Sequence, residues 1–319
     1  MLAAASVLGG PLEEFRSLAQ LSSIDLAALK HGQVVVERRP NGDFPRGVSL
    51  ESGYFLHAPI GVVGEALLHW NPLPHKELEI HHYGEFSMPP AADALKAIRL
   101  DPAFPEDNWL LNRTAEVGHG SAAPDLHLTA QETEFLRQKS TNPSAAWQQI
   151  LHGRAEALAR GGLSAVAPYG GDNSISPGSE FRGLLTLAPK AAKHFQSIIK
   201  AQPIHSNGAP ASEAVGYWEM AKLRGHTTLQ LGIFAAQKGD SSWQLVNCVY
   251  YPSDTYFMAL DLFQLWSVDG GTLVWQVGFV SAPFRSYLGG ADRYIAGKQM
   301  IQETIDTIKA FRVDVEKRR

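Results

Sequence analysis

The chain has 319 residues, 45% of them apolar and 19% charged, a balance that suits a globular protein with a large core. Its 28 basic and 32 acidic residues leave a net charge of −4, and only Lys317-Arg318-Arg319 approaches a basic cluster, so no nucleic-acid partner is expected. The single Cys248 excludes an intrachain disulfide and a multi-cysteine zinc site.

No apolar run approaches the ~20 residues that span a bilayer, which predicts a soluble chain without a transmembrane segment. Residues 1–10 are small and apolar, with an A-x-A pattern at Ala3 to Ala5, yet no Lys or Arg precedes Arg16. They read equally as the remnant of a signal peptide and as a frayed end, so cytoplasmic and exported locations both stay open.

Pro11 opens a helical pattern through Leu12, Phe15 and Leu18, and a second runs from Ile24 to Lys30 with Ser23 as its cap. Together residues 1–32 form an N-terminal helical segment. Strands are predicted at Gln33–Arg38, Val48–His57 and Glu77–Ser87. Between the last two, Ile60, Val63, Leu67 and Trp70 share one helical stripe.

Residues 89–212 change character and read as a mainly helical insertion. Helices are expected at Ala91–Leu100, Thr129–Lys139, Ser144–Arg160 and Pro189–Lys200, with Thr129 and Glu132 forming a capping box. Glycine-rich loops such as 161–178 lie between them.

Five runs then read as strands: 213–223, 226–237, 241–252, 256–266 and 271–282. Their connections are too short for crossovers, so the strands form an antiparallel meander. A two-residue Asp269-Gly270 turn pairs Val268 with Gly271. One face of that hairpin carries Met258, Leu260, Leu262, Trp266, Leu273, Trp275, Val277 and Phe279, with Gln264 as its one polar member. This face is expected to point inward. The opposite face carries Asp261, Ser267, Thr272 and Gln276 among Phe257, Phe263, Leu265, Val274 and Val280. The apolar face of 226–237 (Leu229, Leu231, Ile233) has the wrong parity to join the first.

A long helix over Tyr287–Val315 ends the chain, with Tyr287, Tyr294, Ile301, Ile305 and Ile308 on one stripe beside Gly290 and Gly297. The glycines either leave room for a ligand or let the helix pack closely. The fold expected is α+β.

Candidate chemistry is sparse. Glu77, Glu79 and His81 share a strand face if 77–87 is extended, but a solvated face is the better reading, and no metal site is expected. There is no G-x-S-x-G elbow or phosphate-cradling glycine motif, Cys248 sits within a strand, and no catalytic residue or cofactor is assigned.

The order of elements resembles the START-like (Bet v 1-like, polyketide cyclase/lipid transport) superfamily. The carriers are the early strand ending in Ala58-Pro59, the helix Ile60 to Trp70, the meander with Gly271-Thr-Leu-Val-Trp-Gln276, and the long last helix. The resemblance covers 33–88 and 213–319 and leaves the insertion aside. It implies a helix-grip fold, a curved antiparallel sheet wrapped around the C-terminal helix with a cavity between them. The layout is also similar to a group of uncharacterised bacterial proteins, which implies no activity. On this reading Met258, Leu260, Leu262, Gln264, Trp266, Trp275, Val277, Phe279, Tyr294 and Ile301 line the cavity, and Arg285 and Arg293, flanking the start of the last helix, either bind an anionic headgroup at its mouth or are plain surface charge.

Three functions follow. The first is non-catalytic binding or transport of a hydrophobic small molecule, a lipid among the candidates. The second is a cyclase/aromatase-like enzyme using Gln264 or Tyr294. The third is an interaction module, in which the second apolar face is covered by the insertion or by another subunit of a homo-oligomer.

Overall fold

The computed structural model describes residues 10–121, 124–139, 141–170, 174–284 and 291–317. The expected Tyr287, Gly290 and Arg285 lie outside them, as do residues 1–9. Among the described residues no helix is long and apolar enough to cross a membrane.

The centre is one eight-stranded antiparallel sheet. Its middle is the meander: β4 (Glu213–Leu223), β5 (His226–Lys238), β6 (Ser242–Pro252), β7 (Met258–Val268) and β8 (Gly271–Ser281). β1 (Val34–Arg38) and β2 (Gly47–Leu56) extend it beyond β8, and β3 (Ile80–Phe86) closes the other edge beside β4. The brief turns explain the pairing. Arg224 and Gly225 both take positive φ (51° and 85°), as a two-residue turn matching the strands' right-handed twist requires, and Leu223 faces His226. Val268 pairs with Gly271 as the Asp269-Gly270 turn predicts.

The chain between β2 and β3 crosses the sheet by way of α3 (Ile60–Leu68), whose Val63, Ala66 and Leu67 are buried against Trp243, Leu245 and Leu265. The last helix, α10 (Ala291–Glu316), shares that side, with Ile308, Phe311 and Val315 packed near Tyr54, Phe263 and Val274. The other side is covered by α1 (Pro11–Leu18), α2 (Leu26–Lys30) and the insertion. The insertion contributes α4 (Asp107–Gly118), α5 (Ala130–Gln138), α6 (Pro143–Gly161), α7 (Pro177–Leu185), α8 (Pro189–His194) and α9 (Gln196–Ile199). Trp147, Leu151 and Phe195 from these helices share a core with Leu260, Leu262, Trp275 and Val277 of the meander.

This arrangement corrects the face assignment. The face with Met258, Leu260, Leu262, Gln264, Trp266, Trp275 and Val277 packs on the insertion, while the face with Asp261, Phe263, Val274 and Gln276 lies under α10. The parity conflict disappears for a related reason. The connection from β6 to β7 is not a tight turn at 252–255; the ladder closes at Val249 and Ala259, leaving an odd stretch, 250–258, outside the pairing. Leu229, Leu231 and Ile233 thereby share the face of Leu260 and Leu262.

Other departures are local. Ala91–Leu100 forms turns where a helix is expected, and Asp25, not Ser23, caps α2 through Ala27 N. Pro189–Lys200 divides into α8 and α9. The capping box is present: Thr129 Oγ1 accepts from Glu132 N at 3.0 Å, and Glu132 Oε2 accepts from Thr129 N at 2.7 Å.

Candidate functional site

The sheet and α10 do not close completely on one another. Between them is a cavity of about 240 Å³, whose apolar walls include Tyr54, Leu67, Trp70, Phe234, Phe263 and Phe311. Its polar groups are Asn247, Asp261 and Gln276 on the sheet, and Glu303, Thr304 and Thr307 on α10. Strand alternation explains the floor: Asn247, Asp261 and Gln276 stand on adjacent strands and one face, Asn247 opposite Asp261 in the ladder.

Among the described residues the floor is hydrogen-bonded but not charge-paired. Gln276 Nε2 donates to Asp261 Oδ1 at 2.9 Å, and Ser52 Oγ donates to Gln276 Oε1 at 3.1 Å. Tyr217 OH donates to Asn247 Oδ1 at 2.8 Å. Tyr217 reaches it because its ring lies across Gly232, where a Cβ would stand about 2.0 Å from the ring. Burial pushes the Asp261 carboxyl up to about 6, against the smaller opposing effect of hydrogen bonds from Gln276 and Asn247. Glu219, on the same side of the sheet, is pushed up to about 7 by burial.

Of the residues expected to line a cavity, Phe279 borders it. Met258, Leu260, Leu262, Trp266, Trp275 and Val277 are buried in the core shared with the insertion. Gln264 ties that core together: its Oε1 accepts from His194 Nε2 at 2.8 Å and from Gln244 Nε2 at 3.1 Å, while its Nε2 donates to Leu265 O at 3.0 Å. Tyr294 is 51% exposed, between Arg38 and Lys298, and Ile301 is half-buried on α10 away from the cavity. Gly297 serves close packing, because a Cβ there would meet the Arg38 side chain at 2.7 Å. Arg293 donates to Gly47 O at 2.7 Å and is committed to the end of β2. The Asp261–Gln276 pair was visible in the sequence only as polar interruptions of the less apolar face. Its signal was the placement of a carboxylate and an amide across a hairpin.

Other titratable groups lie outside the cavity. His226 Nε2 lies 2.5 Å from Asp254 Oδ2 with Trp109 stacked on the imidazole, and Ser253 Oγ and Thr255 Oγ1 also donate to Asp254. Thr255 holds φ at 68°, a strained conformation for a β-branched residue. This cluster fastens α4 to the β6–β7 connection. Glu65, His69 and Glu213 bring ligand atoms within 4.8 Å of one another, but Lys238 Nζ already bonds both carboxylates, so the group is an ion-pair cluster. Glu77, Glu79 and His81 do not share a strand face: Lys76–Leu78 is a 3₁₀ turn, Glu79 is left-handed with φ 55°, and β3 begins only at Ile80. Cys248 is fully buried, and burial raises its thiol far above the ordinary range.

No family model matches the chain, and neither a curated protein nor a solved structure matches it.

Proposed function

We propose that the protein binds a compact, largely apolar molecule in the cavity between the sheet and α10. The observation that carries this reading is the cavity itself: aromatic and aliphatic walls around a small group of fixed polar side chains, the usual make-up of a small-molecule site. Apolar cavities of about 150 Å³ accept benzene, so a space of about 240 Å³ favours a ligand somewhat larger than that over a full-length lipid. The placement of the cavity under the last helix agrees with the resemblance to START-like domains and with a helix-grip reading of 33–88 and 213–319. The insertion is then a buttress on the far side of the sheet.

A second reading is an enzyme of cyclase/aromatase type. It is favoured by one observation, that a carboxyl, Asp261, stands at the cavity floor, where burial raises it toward the range in which a general acid or base works. Gln264 and Tyr294 are no longer its agents, since neither lies in the cavity. The interaction reading loses its motive: both apolar faces of the meander are covered within the chain.

Native mass spectrometry and an organic extract of the purified protein test the binding reading, with Ala259→Trp as a variant that fills the cavity. A stoichiometric small molecule in the wild type, absent from the variant, supports it. Equal retention by a folded Ala259→Trp protein places the ligand elsewhere and overturns it.

A further inference from the structure

We infer that the cavity selects an organic cation, a small amine with an apolar body, over neutral and anionic molecules of the same shape. This rests on the binding reading above and names the ligand class of the same site.

The first argument is charge. The lining contains two carboxylates, Asp261 at the floor and Glu303 at the exposed rim, and no lysine, arginine or histidine. Arg312 acts on neighbouring Tyr54, but its guanidinium donates to the carbonyls of Gly32 at 2.8 Å and Phe55 at 3.3 Å. The partners of Asp261 are neutral amides, so among the described residues its negative charge has no counter-charge. A neutral occupant would strip water from that carboxylate and return nothing for its charge; an anion would add repulsion. An ammonium group supplies the missing counter-charge.

The second argument is the wall. Tyr54, Trp70, Phe234, Phe263 and Phe311 present aromatic surface to the same space, and aromatic faces attract cations as well as apolar groups. A carboxylate together with several aromatic rings is suited to an amine on a hydrocarbon body and wasted on a plain hydrocarbon.

The third argument is that the arrangement works against stability. Burial raises Asp261 to about 6, so its ionised form is held at an energetic disadvantage at neutral pH. Asparagine would keep the bond from Gln276 through its own Oδ1 without that penalty. A counter-ion that arrives with the ligand accounts for the acid.

The test uses three probes of similar size, benzylamine, benzyl alcohol and benzoate, titrated calorimetrically at pH 7.5 into the full chain. The expected result is that benzylamine binds at least tenfold more tightly than benzyl alcohol and that benzoate does not bind. In Asp261→Asn the preference should vanish while benzyl alcohol affinity is kept. If that variant does not fold, the wild type at lower pH replaces it: between pH 7.5 and 5 the preference should shrink as Asp261 protonates. The other titratable groups near Asp261 are Tyr54 and Cys248, which stay protonated throughout, and Glu303 on α10. Burial raises Glu303 too, so Glu303→Gln should weaken the amine preference less than Asp261→Asn does and keep its dependence on pH. Equal binding of amine and alcohol, or a preference that survives Asp261→Asn or is flat with pH, would overturn the cation assignment and leave the cavity reading intact. Failure of all three probes, or benzylamine binding unchanged in folded Ala259→Trp, would overturn both.

Discussion

On the insertion side of the sheet, hydrogen bonds outweigh burial at the carboxylates; on the α10 side burial wins. Asp254 is 2% exposed and accepts from His226, Thr255 and Ser253, and Asp107 is 1% exposed and accepts from Thr227 at 2.6 Å and from Asp101 N at 2.8 Å. Burial alone would raise both; the hydrogen bonds outweigh it and hold both below the ordinary aspartate value. Asp261 on β7 and Glu219 on β4, facing the α10 side, are pushed up to about 6 and about 7 by burial. The difference teaches which face is finished as a core and which is left receptive: satisfied charge serves packing, and unsatisfied charge beside a cavity serves a ligand.

The largest expected effect would break the contrast in packing. Trp275 is fully buried against Phe195 and His194, so Trp275→Ala should cost about 3–5 kcal/mol in denaturant unfolding. Met300, which borders the existing cavity and is half-buried, should lose under about 1 kcal/mol as alanine, because little new empty space is made. Comparable losses at the two positions would mean that the α10 side is as tightly packed as the insertion side.

Next comes the fastening at the β6–β7 connection. His226→Ala leaves Asp254 buried without its imidazole partner, and a loss of about 2–4 kcal/mol at pH 7 is expected. The sign with pH follows from the depressed carboxyl. The stability that Asp254 contributes is present above the unfolded value of 3.8 and is lost as pH falls through its lower folded value. The gap between wild type and His226→Ala should accordingly narrow in strong acid. A gap that widens there would contradict the assignment.

Asp261 should behave in the opposite sense. Its folded pKa lies above the unfolded 3.8, so its relative stabilisation is complete below about pH 4 and lost as pH rises through about 6. Asp261→Asn should therefore raise stability by about 1–3 kcal/mol at pH 8 and change little at pH 4, read from urea midpoints at the two pH values. Destabilisation at pH 8 would show that the acid has a counter-charge in the folded protein and would remove the contrast between the faces.

The sequence spoke clearly where a pattern has one interpretation. Alternation and two-residue turns placed β4 to β8 within a few residues, because short connections leave only antiparallel pairing. It spoke poorly where both faces of a strand are apolar. Leu262 and Phe263 are neighbours, each buried, one under the insertion and one near α10, and hydrophobicity alone does not rank them. The β6–β7 connection added to the difficulty, since Pro252 to Thr255 reads as a tight turn while the ladder actually opens at Val249. Asp107–Gly118 escaped notice as a helix because Asn108, Asn112, Arg113 and Glu116 dilute its apolar stripe, and the helix is held by Leu110 and Val117 against the rest of the insertion. The residues Met258 to Val277 expected to line a cavity stand on the hairpin face turned away from α10, a matter of face, while Tyr294 and Ile301 miss the pocket by their position on α10 itself.

The smallest expected effect concerns Tyr294, the residue whose helical spacing most suggested a place in the cavity. It lies on α10, 51% exposed, with its ring 5.6 Å from the Arg38 guanidinium and 4.9 Å from Lys298 Nζ. A surface cation–π contact is worth about 0.5–1 kcal/mol, and an exposed side chain makes little else, so Tyr294→Ala should change stability by under about 1 kcal/mol. Benzylamine affinity should be unchanged within error, because the cavity walls are provided by residues further along α10, from Met300 to Phe311. A tenfold loss of affinity in a folded Tyr294→Ala protein would bring this tyrosine back into the site and would require α10 to sit differently on the sheet when a ligand is bound.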